Sequence, residues 1–130
     1  MIAGCKGQIG MPLAHALCHE VGAENVIATD NNAKNVDLPC QVEYLDVVDF
    51  ASYDALVEKH KVDYIVHLAA ILSALGEKQP DRAMSVNVYG CINALNIARD
   101  RKCQIFMPST IAVFGGEIFT KINTPVDSIL

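Results

Sequence analysis

Gly4-Cys5-Lys6-Gly7-Gln8-Ile9-Gly10 is the stretch that decides the fold, together with Asp30 twenty residues further on. Met1 to Ala3 before it reads as the end of a strand. Ile9, Leu13, Leu17 and Val21 after it recur every four residues, one stripe of a helix that Gly22 closes. Pro12 falls in that helix's first turn, where its missing N–H is not needed. Glycines between a strand and a helix permit a tight turn, backbone approach to a pyrophosphate and close packing of helix on strand. The N–H groups of Gln8 and Ile9 then point at an anion from the helix N-terminus. Two residues, Cys5 and Lys6, in place of the usual one separate the first of these glycines from the second. Asp30 ends the next apolar run, Asn25 to Thr29, where a carboxylate accepts hydrogen bonds from ribose hydroxyls. The same charge repels a 2′-phosphate, with Lys34 the nearby offset, so the spacing predicts NAD rather than NADP.

Outward from that stretch the β-α alternation continues. Val42 to Leu45 is a brief third strand, and Asp49 caps a helix from about Phe50 to His60 whose inner face carries Tyr53, Leu56 and Val57. Val62 to Ala69 is the strongest strand, followed by a loop to Pro80. A long helix from Pro80 to about Arg101 carries Ala83, Met84, Val88, Cys91, Ile92, Leu95 and Ala98, and Gln104 to Met107 makes a fifth strand. After Phe114, Gly115 and Gly116 the pattern dissolves into an irregular tail. Alternation of this kind gives a parallel sheet. Right-handed crossovers with one reversal predict an α/β, Rossmann-type doubly wound sheet of order 3-2-1-4-5, with the ligand crevice at the carboxyl ends of the first and fourth strands.

Composition agrees with one domain over the 130 residues. Apolar residues make up 52% and charged residues 19%, enough to build a core. Ten basic against fifteen acidic side chains leave a net charge of −5, which argues against nucleic acid or an anionic membrane as partner. No run approaches the ~18 apolar residues of a membrane-spanning helix, and no signal peptide is visible. Five scattered cysteines without a Cys-x-x-Cys suit reduced thiols in an intracellular, soluble setting and no metal site. His15 and His19, with Cys18 between, are better read as a solvated helix face than as ligands, since no third ligand is identifiable. Cys5 beside the helix start is either a stabilised thiolate or a small residue tolerated next to phosphate. His67 is either a general base or a satisfied structural histidine.

With Asp46-Val47, His67-Leu68-Ala69-Ala70, Asn87 and Ser109-Thr110 added, the chain resembles the extended short-chain dehydrogenases of the NAD-dependent epimerase/dehydratase type. Within them it is similar to the short-chain L-threonine 3-dehydrogenases. The likeness rests on GQIG (7–10), NVIATD (25–30), EYLDV (43–47), HKVDYIVHLAAILSALGEK (60–78) and PSTIAVFG (108–115). It implies that Gly4, Gly7, Gln8, Ile9 and Gly10 cradle the pyrophosphate of NAD, and that Asp30, Asn31 and Asn32 hold the adenosine ribose. It places Asp46 and Val47 along the adenine and Leu68, Ala69 and Ala70 beside the nicotinamide ribose. Asn87 becomes an organiser of the site, Ser73 a substrate contact, and Thr110 the catalytic hydroxyl that also contacts substrate.

The implied reaction oxidises L-threonine, a small amino-acid substrate, to 2-amino-3-oxobutyrate. The implied setting is the mitochondrial matrix in a eukaryote or the cytoplasm in a bacterium, with pairing into homodimers. A nucleotide-sugar epimerase or dehydratase, or a non-catalytic NAD(H)-binding copy, are the alternatives. In the resemblance a tyrosine with lysine four residues later supplies the base. None of Tyr44, Tyr53, Tyr64 or Tyr89 has that partner. The expectation is therefore a partial NAD-binding domain over 1–130, its sheet incomplete at both ends and the substrate-binding part outside it.

Overall fold

The computed structural model describes residues 1–110, and of Ser73 only its place in a helix. The expected irregular tail, and positions 111–115 of the PSTIAVFG segment, lie outside the described residues. Five short strands form one parallel sheet: β1 (Ile2–Ala3), β2 (Ile27–Asp30), β3 (Gln41–Tyr44), β4 (Tyr64–His67) and β5 (Gln104–Phe106). Their order is β3-β2-β1-β4-β5, as the alternation predicts. β1 is only two residues long yet central, with Ile2 and Ala3 opposite Ala28 and Thr29 on one side and Val66 and His67 on the other.

Successive strand residues point to opposite faces, and two cores follow from that. Ile2, Ala28 and Val66 pack with Cys5, Ala14 and Cys18 under α1 (Gly10–Val21). Ala3 and Ile65 pack with Tyr53 and Val57 of α2 (Phe50–Lys59) and with Val86, Ala94, Ile97 and Ala98 of a long C-terminal helical run. That run is α4 (Pro80–Met84), a π-type turn over Ser85–Tyr89 and α5 (Gly90–Arg101). The expected helix from Pro80 to Arg101 is thus present, with a widened turn inside it. Asp49 caps α2 as expected, its side chain accepting the Ser52 N–H at 3.1 Å.

The inner faces match the sequence reading in part, with Leu13 and Leu17 of α1, Tyr53, Leu56 and Val57 of α2 and Ala98 of α5 packed inward, and depart from it elsewhere. On α1 the buried residues are Gly10, Ala14 and Cys18, while Ile9 and Val21 are exposed. On the long helical run Met84, Val88, Ile92 and Leu95 lie outside, while Val86, Gly90, Ala94 and Ile97 face the sheet. Small residues, Gly10 and Ala14 on α1 and Gly90 and Ala94 on α5, let both helices come close to the sheet at those points. Gly90 shows the closeness, since a Cβ there would come within 2.7 Å of Val47 Cγ2. The segment before Pro80 is also not all loop. It contains α3 (Ser73–Lys78), which exposes Leu75 and lacks a side-chain cap, so neither periodicity nor capping announces it.

Candidate functional site

The carbonyl of Thr29, at the carboxyl end of β2, fixes where the glycine stretch begins. It accepts the N–H of Gly4 at 2.8 Å and of Cys5 at 3.0 Å, and the Thr29 hydroxyl returns a bond to Ile2 O at 3.0 Å. Gly4 has φ +90°, a conformation that favours glycine, and a Cβ there would meet Ala69 N at 2.8 Å. The chain leaving β4 can therefore run directly against the chain leaving β1. A Cβ on Gly10 would fall 2.3 Å from Gly4 O, so α1 starts on the turn itself. No side chain caps the start of α1 and no acidic residue stands in its first turn. Met11 N–H goes to Gly7 O at 3.2 Å, Leu13 N–H to Ile9 O at 3.1 Å, and Pro12 has none, so an anion at this end meets the N–H groups before Met11.

Beyond these strand ends opens a cleft of about 370 Å³. Gly4, Gly7, Asp30, Asn31, Asp46, Val47, Leu68, Ala69 and Ala70 line it, so the structure gathers most of the expected cofactor residues into one space. Gln8, Ile9, Gly10, Asn32 and Asn87 do not line it; they surround or support the turn and walls. Asp30 accepts Lys6 N–H on Oδ2 and Asn32 N–H on Oδ1, both at 3.0 Å. A carboxylate so held keeps lone pairs for two further donors, as a ribose diol requires. Lys6 also sends Nζ to Lys34 O at 3.4 Å, tying the glycine turn to the loop after β2.

Asn87 takes a definite part without touching the cleft. Its Oδ1 accepts Ile71 N–H at 2.8 Å and its Nδ2 donates to Ile71 O at 2.9 Å, fixing the chain after β4 at both backbone groups. Asn93 does the same for the chain after β3, donating to Val47 O and Val48 O at 3.0 Å each. Sequence reading missed Asn93, and it missed Leu45, Ile71, Leu75, Gln79, Arg82 and Val86 in the cleft wall. Arg82 Nη2 donates to Asp46 Oδ2 at 2.7 Å. These contacts join residues far apart in sequence, and no local pattern signals them.

Thr110 lies exposed after β5 and does not line the cleft, and the side chain of Ser73 is outside the description. His67 is 2% exposed, its Nδ1 sharing a hydrogen bond with Tyr53 OH at 3.3 Å. Its Nε2 has no partner among the described residues. Burial pushes its pKa down to about 4, so the ring is neutral near pH 7, and it does not line the cleft. Cys5 is fully buried, and desolvation together with Asp30 raises its thiol to about 11. The thiolate reading is thereby corrected: burial overrides the helix N-terminus. His15 and His19 are exposed, and no group of three metal-ligating side chains occurs among the described residues. Nor is any described helix long and apolar enough to cross a membrane.

The profile of the NAD dependent epimerase/dehydratase family matches residues 1–127. An uncharacterized epimerase/dehydratase of Staphylococcus saprophyticus is 43% identical over 128 residues, which are 96% of this chain and 40% of that protein. The L-threonine dehydrogenase of Clostridium difficile superposes with a TM-score of 0.90 at 41% identity, over 98% of this chain and 41% of its own. A UDP-glucose 4-epimerase of Thermotoga maritima, at 22% identity and a TM-score of 0.69 over 78% of this chain and 34% of its own, shares the fold alone. The chain spans about 40% of the length of the curated relatives it matches.

Proposed function

The chain belongs to the NAD-dependent epimerase/dehydratase family, and from that premise we propose that it is the NAD-binding part of an L-threonine 3-dehydrogenase. The observation that carries the choice is the likeness to a threonine dehydrogenase at 41% identity and a TM-score of 0.90, against 22% for an epimerase. In this reading the turn from Gly4 to Gly10 and the start of α1 bind the pyrophosphate, with Gln8 and Ile9 presenting N–H groups. Asp30, helped by Asn31 and Asn32, accepts from the adenosine ribose. Asp46 accepts from the adenine amine while Val47 packs on the ring. Leu68, Ala69 and Ala70 border the nicotinamide ribose, held in place by the clamp of Asn87 on Ile71.

NAD, when bound, accepts a hydride from the carbon that carries the threonine hydroxyl. Thr110 hydrogen-bonds the reacting oxygen and Ser73 contacts the amino acid. The hydroxyl proton must go to a base, and none of the four tyrosines carries lysine four residues later. His67 is buried and Thr110 is too weak an acid to serve. Residues 1–130 are accordingly an NAD-binding domain that does not turn over threonine by itself. Pairing of two copies has a matching surface in Met84, Val88, Tyr89, Ile92 and Leu95, all exposed on one helical run.

Calorimetric titration with NAD and NADP tests the cofactor, and a graft tests the reaction. The chain replaces the matching segment of the Clostridium difficile L-threonine dehydrogenase. The graft is assayed for NADH formation from L-threonine and for epimerisation of UDP-glucose. The expected result is tighter binding of NAD than NADP, relaxed by Asp30→Ala. Threonine-dependent NADH formation is expected from the graft, lowered in kcat by Thr110→Val, and none from residues 1–130. Equal affinity for both cofactors, or a graft that handles the sugar and not threonine, refutes the reading.

A further inference from the structure

Among the described residues, two carboxylates and one cation line the cleft: Asp30, Asp46 and Arg82. The cation is not free for phosphate, because Arg82 Nη2 is committed to Asp46 Oδ2 at 2.7 Å. Asp46 is also tied from the other side, its Oδ1 accepting the Val48 N–H at 3.1 Å. A carboxylate with one donor on each oxygen has its plane fixed, and its remaining lone pairs are aimed rather than swinging. Arg82 reaches it from α4, across 36 positions of sequence, and the pair is partly buried, at 41% and 24% side-chain exposure.

We propose that Arg82 is a positioning residue that holds Asp46 as an obligatory hydrogen-bond acceptor at the base end of the cleft, making the site selective for adenine over a 6-oxo purine. The inference rests on the reading that the adenosine end of NAD lies against Asp46. Adenine carries a donating amine at position 6, which a fixed carboxylate accepts. Hypoxanthine carries an accepting oxygen there, and two acceptors facing each other leave both unpaired. A site built to accept from a ligand donor rejects the analogue that lacks it. An unheld carboxylate would rotate toward water and lose that discrimination. The guanidinium also keeps the base end near neutral, so the price of burying Asp46 under a purine falls.

The chain is titrated calorimetrically with NAD and with nicotinamide hypoxanthine dinucleotide, as are Arg82→Leu, Arg82→Lys and Asp46→Asn. The chain itself is expected to bind NAD about tenfold more tightly, the worth of one well-aimed hydrogen bond to a charged group. Arg82→Leu brings the ratio close to one, mainly by weakening NAD. Arg82→Lys keeps most of it, and Asp46→Asn, whose amide also donates, brings it to one or below. A purely structural role for Arg82 would weaken both dinucleotides alike and leave the ratio intact, and that result overturns the inference. Should Arg82→Leu not fold, the ratios of the other two variants decide. Equal binding of the two dinucleotides by the unmodified chain overturns this inference and leaves the nucleotide reading standing. Binding of neither overturns both.

Discussion

His67 makes folding stability depend on pH in a window that few other groups touch. The ring is 2% exposed, and burial alone lowers its pKa from about 6.5 to about 4. The unfolded chain therefore takes up a proton that the folded chain refuses. Stability from this residue is complete above the unfolded value. It is lost as pH falls from 6.5 toward 4 and changes no further below that. The gap of roughly 2.5 pH units corresponds to about 3 kcal/mol in full, of which about 2 kcal/mol is lost between pH 7 and pH 5. Carboxylates held down by partners, Glu43 by Lys59 and His60 and Asp54 by Arg101, lose their contribution below the ordinary carboxylate range and so fall outside that interval. Urea denaturation followed by far-ultraviolet circular dichroism at pH 7, 6 and 5 measures the effect. A midpoint falling by on the order of 1 M urea is expected. His67→Gln, which cannot titrate, should start less stable at pH 7 and lose little on acidification. A midpoint that stays level from pH 7 to pH 5, or a variant with the same slope as the parent, would refute the reasoning.

Gly10→Ala places a Cβ 2.3 Å from Gly4 O and 2.8 Å from Cys5 Cα, and backbone on both sides cannot yield cheaply. A loss of about 1–3 kcal/mol is expected, read as a lower melting temperature together with weakened NAD binding. Asn87→Ala leaves the N–H and C=O of Ile71 to find new partners. About 1–3 kcal/mol should be lost, with hydrogen exchange at the Ile71 amide accelerating more than in the strands. Ile92→Glu with Leu95→Glu, both on the exposed side of α5, should abolish any self-association seen by sedimentation velocity and leave the circular dichroism spectrum unchanged. Persistence of the oligomer would place the contact elsewhere.

What the sequence made legible was local. The positive φ of Gly4 and the contact of Gly10 with Gly4 O are internal to a few residues, and Asp30 follows at a distance set by one helix and one strand; the approach of Ala69 to Gly4 is not local. Asp49 caps α2 through the Ser52 N–H three residues away, which is again visible in the chain itself. Strand order followed from alternation and handedness, without any side-chain detail. Boundaries slipped where hydrogen bonds outrun the ladder. Val62 was read into a strand, but its N–H bonds to Val57 O and closes the end of α2 instead.

The misread helix faces have a different origin. Counting large apolar residues at helical spacing assumes that bulk marks the inside, which holds for Tyr53, Val57 and Ile97 and fails where a helix meets the sheet through small residues. Gly10 and Ala14 on α1 and Gly90 and Ala94 on α5 are buried and small, and bring the helix backbones close to the chain beneath them. Helices this close bring polar side chains within reach of neighbouring backbone. Asn93 then holds the chain after β3, and Asn87 the chain after β4. The π-type turn carrying Asn87 rotates the helix between α4 and α5. It lets Arg82 stand over Asp46 on one side while Gly90 meets Val47 on the other. The walls of the cleft are thus consequences of close packing. Gly90→Ala, whose Cβ would lie 2.7 Å from Val47 Cγ2, should therefore disturb the cleft wall at Val47, read as weaker NAD binding with the circular dichroism spectrum unchanged.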